Sequence, residues 1–241
     1  AVEQGIAGEE LALAGSILGA VGAEEIQRLQ KRCMEKQPHH IPVVFMADII
    51  NGYKTIFPIP LALGCTFSQE AAQTAGDVMA RESAADGLHV TFAPMVDLVR
   101  DARWGRVMES TGEDPYLNCR MAEAMVRGIQ GQGEHYEEHL GACTKHFAAY
   151  GAPTAGREYN NVELSERTLR EDYLPAYQAA KDAGSAVVMT SFNTLDRIPA
   201  TGNQWLMRKV LREEMGFEGV LVSDYNAVGE LITHGVAEDK K

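Results

Sequence analysis

The chain has 241 residues, of which 45% are hydrophobic and 23% are charged, and its formal net charge at pH 7 is -12. This is ordinary globular composition, and the acidic balance argues against nucleic acid and against anionic membranes as partners. No apolar run approaches the roughly 20 residues of a membrane-spanning helix, and the four cysteines are too widely spaced for a zinc or redox motif.

Predicted strands and helices alternate along the chain. The strands are short and rich in Val and Ala: Gly15–Leu18, Pro42–Ala47, His89–Ala93, Ala142–Phe147, Ala186–Ser191 and Gly219–Ser223. The helices are predicted at Glu24–Glu35, Ser68–Asp86, Tyr116–Gln130, Ser165–Ala183 and Asn203–Glu214. Ser165 and Asn203 are start signals for the last two helices, and Gly184 and Gly216 suit the left-handed residue just past a helix end.

Short apolar strands that do not alternate favour parallel strands buried on both faces. Repeated βα units imply a parallel sheet, which either closes into a barrel or stays open and doubly wound. A closed barrel needs eight strands and typically about 250 residues. With six visible strands and two long loops, we predict residues 1–241 to be a truncated TIM-like α/β barrel that lacks its last two βα units.

Polar residues follow several of the predicted strands. Asp48 closes the second strand, Lys145 and His146 the fourth, and Asp224 the sixth. The loop after the third strand is dense in charge: Arg100, Asp101, Arg103, Trp104, Arg106, Glu109, Glu113 and Asp114. Taken singly, each of these has a structural explanation, such as a helix cap or an ion pair. In a barrel, the C-terminal strand ends would bring them around one pocket.

Such a pocket suits the chemistry of a polyol. An ionised Asp224 is a nucleophile or base, and Asp48 can accept from two adjacent hydroxyls. Trp104 and Tyr225 offer flat faces to a pyranose ring, although loop packing explains Trp104 equally well. There is no H-E-x-x-H, no G-x-S-x-G and no phosphate loop. We therefore expect no metal and no cofactor.

Five segments resemble the family 3 glycoside hydrolases, and the likeness extends through nearly the whole chain. They are Ala93–Leu117 (APMVDLVRDARWGRVMESTGEDPYL), Lys145–Gly151 (KHFAAYG), Gly156–Asn160 (GREYN), Ser165–Glu171 (SERTLRE) and Val222–Tyr225 (VSDY). The combination is most similar to the bacterial β-glucosidase branch. The resemblance implies that Asp224 is the catalytic nucleophile. It also implies that a sugar is bound by Asp48, Arg106, Lys145, His146 and Met189, with Tyr225 beside it.

The chain departs from the family pattern at several positions. Phe192 stands where a tyrosine is common, Tyr225 replaces the commoner tryptophan, and Ala102 replaces a proline. In this branch of the family, the general acid/base is a glutamate in a following α/β sandwich domain that this chain does not contain. Local glutamates could be mistaken for that acid, but we expect Glu109 to pair with a neighbouring arginine.

A second branch, the β-N-acetylhexosaminidases, uses a His–Asp dyad on the loop after the K-H pair. The segment Ala148–Gly156 contains no histidine, which favours glucoside or xyloside cleavage. The resemblance therefore predicts a retaining exo-acting β-glucosidase whose substrate is a β-glucoside or oligosaccharide. It also predicts that the remaining C-terminal polypeptide of the same enzyme is a partner of this chain.

Three alternatives remain open. They are a β-xylosidase of the same family, a non-catalytic sugar-binding or structural barrel fragment, and a lyase that forms a Schiff base on Lys145. The first residues show no basic region leading into an apolar core, so no signal peptide is predicted. The first residue is not Met, and cytoplasm and periplasm both stay possible.

Overall fold

A computed structural model of the chain describes residues 14–131 and 136–239. Its strands are β1 (Ser16–Leu18), β2 (Val44–Ala47), β3 (Val90–Thr91), β4 (Gly141–Phe147), β5 (Val187–Thr190), β6 (Thr194–Leu195), β7 (Ile198–Pro199) and β8 (Val220–Val222). Six of them form one parallel sheet in the order β1-β2-β3-β4-β5-β8, while β6 and β7 make a separate antiparallel hairpin. All six predicted strands are therefore confirmed.

The helices lie between the strands of the sheet and after β8. They are α1 (Ala23–Lys36), α2 (Pro60–Cys65), α3 (Gln69–Ala85), α4 (Pro115–Gln130), α5 (Glu166–Thr168), α6 (Leu174–Asp182) and α7 (Ala227–Thr233). Leu169–Tyr173 and Trp205–Glu214 are π-helical, and Val107–Glu109, Tyr136–Glu138, Thr154–Gly156 and Ala200–Gly202 are 3-10 turns. Within the described ranges, no helix is long and apolar enough to cross a membrane.

The sheet curls into an incomplete TIM-like barrel. Its concave face carries a row of apolar side chains, contributed by all six parallel strands or by the residue just past one: Leu18, Met46, Val90, Phe92, Cys143, Val187, Met189 and Val222. The other face packs against the helices. In the described part of the chain, β1 and β8 are the outer strands and do not pair with each other. This confirms the predicted fold class.

Helices α3 and α4 pack closely because glycines occupy the contact. A Cβ on Gly128 would lie 2.2 Å from the backbone oxygen of Gln73. Both helices begin at a side-chain cap, since Ser68 accepts from the backbone N of Ala71 at 3.1 Å and Asp114 accepts from that of Leu117 at 2.7 Å. The outer layer is thereby fixed against the sheet.

The structure differs from the predicted elements in several places, and the short helices α2 and α7 were not predicted at all. Strand β3 is shorter than predicted and ends at Thr91, although pairing with β4 resumes beyond Pro94, where Met95 forms a parallel bridge with Lys145. The predicted helix Ser165–Ala183 is interrupted by the π-helical stretch between α5 and α6. The β6–β7 hairpin was not predicted, because its turn residues Asp196 and Arg197 adopt positive φ angles of 49° and 69° without the usual glycine.

Candidate active site

The residues predicted to share a pocket lie along one edge of the sheet. Asp48 directly follows β2, Lys145 and His146 lie in β4, and Asp224 comes two residues after β8. Because the strands are parallel, their carboxyl ends meet at the same rim. The register supports this placement, since Met189 of β5 is opposite Val222 of β8.

Lys145 is a buried cation with a carboxylate partner. Its Nζ donates to Asp48 Oδ1 at 2.7 Å, and the Lys145 side chain is 4% exposed whereas that of Asp48 is 53% exposed. A buried ammonium needs such a partner. The open side of the Asp48 carboxylate remains accessible to a ligand that carries hydroxyl groups.

His146 is held by a buried carboxylate that the sequence analysis did not single out. The Oδ2 atom of Asp97 lies 2.7 Å from His146 Nδ1 and accepts the His146 backbone N–H at 3.0 Å. The hydroxyl of Tyr177 donates to Asp97 Oδ1 at 3.2 Å and also to the carbonyl of His146. Burial, reinforced by the charge of Asp97, raises the pKa of Tyr177 well above its ordinary value. Tyr177 therefore stays a donor.

The two carboxylate oxygens of Asp224 have different surroundings. Its Oδ1 accepts from the backbone N of Tyr225 at 2.6 Å. Its Oδ2 is buried and has no hydrogen-bond partner among the described residues, but lies 3.5 Å from His146 Nε2. The lone pairs of Oδ2 are therefore not committed to any hydrogen-bond donor of the described residues.

Arg106 and Glu109 form a two-pronged ion pair, as predicted for Glu109. The guanidinium donates Nε to Oε1 at 2.8 Å and Nη2 to Oε2 at 2.9 Å, and it lies 5.5 Å from the ring centroid of Tyr150. Burial acts to raise the pKa of Glu109, but the bonded arginine outweighs it and holds that pKa below its usual range. Glu109 is thereby an anion that orients Arg106, and it is not a proton donor.

Trp104 does not offer a face to a sugar, so of the two interpretations left open for it the structure supports loop packing. Its side chain is buried, and its indole N–H donates to Glu158, which also accepts the hydroxyl of Tyr150. Gly151 lies beside the indole and has no side chain because the Leu98 backbone approaches it closely, since a Cβ there would lie 2.1 Å from the Leu98 carbonyl oxygen. Tyr225, by contrast, is 68% exposed at the rim. Of the two predicted aromatic platforms, Tyr225 has the accessible ring.

Phe192 and Met189 complete the apolar part of the rim. Phe192 packs against the rings of Tyr150 and Tyr159, with centroid separations of 6.0 Å and 4.6 Å. Met189 is 4% exposed on the concave face. Residues 14–131 and 136–239 contain no group of three or more His, Cys, Asp or Glu side chains placed to hold a metal ion.

Two members of this network, Asp97 and Tyr177, were missed from the sequence. Asp97 carried a weaker signal than Asp48, because it lies four residues after the end of the third predicted strand, whereas Asp48 directly follows the second. Tyr177 carried none, since it lies on α6, 31 positions after the residue whose carbonyl it binds. Its approach depends on how that helix packs against the sheet.

Comparison with known proteins gives a consistent set of relatives. The model of the glycosyl hydrolase family 3 N-terminal domain matches residues 3–241. A periplasmic β-glucosidase from Salmonella typhimurium is 46% identical over 225 residues, which cover 93% of this chain and 29% of the relative. A β-xylosidase from Formosa agariphila is 41% identical over 194 residues, which cover 78% of this chain and 27% of the relative.

Solved structures agree with the sequence relatives. A β-glucosidase from Listeria innocua in complex with isofagomine superposes with a TM-score of 0.91 at 56% identity, covering 94% of this chain and 32% of that one. The same enzyme in complex with glucose gives a TM-score of 0.92. The chain thus spans about a third of the length of these structures and slightly less of the two sequence relatives.

Proposed function

Because this chain belongs to glycosyl hydrolase family 3, we propose that it is the barrel domain of a retaining, exo-acting β-glucosidase. Asp224 is the nucleophile in this proposal. The observation that carries it is the unengaged Asp224 Oδ2, which lies 3.5 Å from His146 Nε2. A nucleophilic carboxylate needs one oxygen that is not already committed to a donor.

The reaction proceeds in two displacements. Asp224 Oδ2 forms a bond to the anomeric carbon while the bond from that carbon to the leaving oxygen breaks, and a general acid protonates the leaving group. Water, deprotonated by the same group, then adds to the anomeric carbon and the ester bond to Asp224 breaks. The carboxylate and the acid are both restored, so the net reaction is hydrolysis with retention.

The neighbouring polar groups suit the hydroxyls of the bound sugar. Asp48 has the accessible carboxylate for two adjacent hydroxyls, while Lys145 and Arg106 bring donors, and His146 its ring Nε2, to the same rim. Met189 and Tyr225 add apolar surface. The Listeria innocua β-glucosidase has been solved in complex with glucose, and a mutant of it in complex with laminaribiose, which supports a sugar as the occupant.

The general acid/base belongs, in this proposal, to polypeptide outside the chain. Retention requires it to lie about 5–5.5 Å from the nucleophile. The local glutamates are poor candidates: Glu109 is bound by Arg106, and Glu158 by Trp104 and Tyr150. We propose that residues 1–241 are a truncated barrel and that a following α/β sandwich domain supplies the glutamate. Residues 1–241 alone are then inactive or very weak.

Two other functions can be weighed against the structure. The Formosa agariphila relative favours β-xylosidase as the second candidate, and the ratio of kcat/KM on aryl β-glucoside to that on aryl β-xyloside decides between them. A Schiff-base lyase is disfavoured, because Lys145 is already engaged as a donor to Asp48.

Substitution of Asp224 tests the assignment in the intact enzyme that carries this barrel. Asp224→Asn is expected to lower kcat on an aryl β-glucoside by about 10³-fold or more, the scale of loss when a nucleophile is removed. Asp182→Asn, on the exposed end of α6, is the matched control and retains full activity. Near-normal turnover by Asp224→Asn would refute the nucleophile.

A further inference from the structure

Asp97 is a buried carboxylate that the proposed reaction does not use directly. Its side chain has no exposed surface, and that of His146 is 1% exposed. It lies between the end of β3 and α4, and its neighbours are His146 on β4 and Tyr177 on α6. Burying a carboxylate costs free energy unless hydrogen-bond donors surround it, so the presence of Asp97 in this buried position calls for an explanation.

The hydrogen bonds of Asp97 converge on one residue. Oδ2 of Asp97 accepts hydrogen bonds from the ring Nδ1 of His146, at 2.7 Å, and from the backbone N–H of the same residue, at 3.0 Å. Tyr177 completes the arrangement, because its hydroxyl contacts Asp97 Oδ1 at 3.2 Å and bonds the His146 carbonyl. Backbone and ring of His146 are thus held by the same pair of side chains.

This arrangement determines which end of the imidazole faces the pocket. A carboxylate accepts and does not donate, so Nδ1 carries a hydrogen and Nε2 points the other way. Nε2 then lies 3.5 Å from Asp224 Oδ2. The ring of Tyr150 packs edge-to-face against the imidazole, with a centroid separation of 5.2 Å and an interplanar angle of 77°. Rotation of the ring is blocked from both sides.

The charges around His146 are mixed, and Asp97 contributes the buried negative one. Asp224 faces Nε2, Lys145 is the preceding residue and is paired with Asp48, and the Arg106–Glu109 pair lies against Tyr150. Tyr150 itself donates to Glu158. A second proton on His146 would therefore be placed between two carboxylates, Asp97 at one ring nitrogen and Asp224 at the other.

We propose that Asp97 is a positioning residue for His146. It fixes the imidazole with hydrogen on Nδ1, aims Nε2 into the space between Asp224 and the bound sugar, and supplies the charge that stabilises the ring when Nε2 also donates. An aspartate that orients a histidine in this way is a recurring catalytic device. The proposal rests on the proposed function for the role of Asp224, but the contact between Asp97 and His146 does not.

Asp97→Asn separates charge from hydrogen bonding. In the variant, the amide oxygen takes the place of Oδ2 and still accepts both bonds from His146. The amide NH₂ takes the place of Oδ1 and donates to the Tyr177 oxygen, whose own hydrogen stays on the His146 carbonyl. The substitution therefore removes the negative charge and leaves the shape and the bonds in place.

The test is a double-mutant cycle in the intact enzyme, with Asp97→Asn, His146→Ala and the two together. Turnover of an aryl β-glucoside is divided by the number of active sites, counted by titration with a fluorosugar that traps glycosyl-enzymes. We expect Asp97→Asn to lower kcat/KM about 10–100-fold, as for other residues that orient a functional histidine, with the loss in kcat rather than KM. In the His146→Ala background, the same change should have little further effect.

Tyr177→Phe is the companion variant, because it reaches Asp97 from the opposite oxygen and leaves the charge intact. Tyr177→Phe should lower kcat/KM by less than Asp97→Asn does. In the His146→Ala background it should have no further effect. This second cycle also decides the question if Asp97→Asn yields no titratable sites. A purely structural role predicts normal turnover per titrated site.

Two results would overturn the proposal: normal turnover per site in Asp97→Asn, or losses from Asp97 and His146 that multiply. Failure of the proposed function has a different signature, since the fluorosugar would then label a residue other than Asp224. The coupling between Asp97 and His146 would still be measurable from kcat/KM.

Discussion

Substitutions in the ion pair between Lys145 and Asp48 are predicted to affect stability and activity differently. The ammonium is buried, with its side chain 4% exposed, and the carboxylate is half exposed. Asp48→Asn leaves the buried charge with a neutral partner, whereas Lys145→Met removes the charge and keeps much of the volume. Removing a buried charge altogether costs less than leaving it unpaired.

The size of the effect follows from the geometry. A charge-assisted hydrogen bond at 2.7 Å contributes about 1.5–3 kcal/mol. Water reaches the exposed side of Asp48 and the asparagine oxygen still accepts, so we expect Asp48→Asn to cost about 1–2 kcal/mol. For a unit of this size, that lowers the melting temperature by about 2–8 °C. Lys145→Met is expected to cost less, or to stabilise.

Calorimetry of the barrel transition and kcat/KM on an aryl β-glucoside are measured on the same preparations. Both variants should lose activity, because both side chains are proposed to bind the sugar, while Asp48→Asn alone loses clear stability. Lys209→Met breaks the exposed pair with Glu213 and serves as the control, with a change within about 0.5 kcal/mol. The reasoning fails if Lys145→Met proves less stable than Asp48→Asn.

Three further predictions concern the barrel itself. Phe45→Ala removes a fully buried ring and should cost about 3–5 kcal/mol in denaturant unfolding, whereas Phe67→Ala, at a ring 76% exposed, should change stability by less than about 0.5 kcal/mol; equal losses would contradict the assigned core. Gly128→Ala places a Cβ 2.2 Å from backbone and should lower the melting temperature, while Gly105→Ala has nothing within 4 Å and should not; a stable Gly128→Ala protein would rule out the close α3–α4 contact. Because the pKa of Glu109 lies below its ordinary 4.5 in the folded protein, its stabilising contribution is present above pH 4.5 and is lost as pH falls through the lowered value. The melting temperature of wild type should exceed that of Glu109→Gln by less as the pH falls below 4.5. A difference that grows below pH 4.5 would contradict the lowered pKa of Glu109.

The parallel sheet was predictable because short runs rich in Val and Ala mark its strands, most clearly β4 and β5, which are buried along nearly their whole length. The shared rim followed from topology, since parallel strands place Asp48, His146 and Asp224 at one edge. The pairing of Glu109 with an arginine was also predictable, because Arg106 lies three positions away. These inferences needed strand order and local spacing, which the sequence supplies.

Other parts of the site depend on packing between distant segments. The hydroxyl of Tyr177 reaches Asp97 across 80 positions of chain, and no local pattern indicates which face of α6 turns inward. The orientation of Trp104 was equally open, because Glu158, which accepts its indole N–H, lies on a different loop 54 positions away. The Asp196–Arg197 turn lacks a glycine, and so its hairpin left no signal.

The most direct test of Asp224 as the nucleophile is to trap the covalent glycosyl-enzyme. The intact enzyme is incubated with a fluorosugar that forms a long-lived ester, digested, and analysed by mass spectrometry. If Asp224 is the nucleophile, one labelled peptide is expected, with the sugar attached to Asp224. A competing β-glucoside should prevent the labelling. A sugar found on another carboxylate, or turnover that inverts the anomeric configuration and leaves no ester, would contradict it.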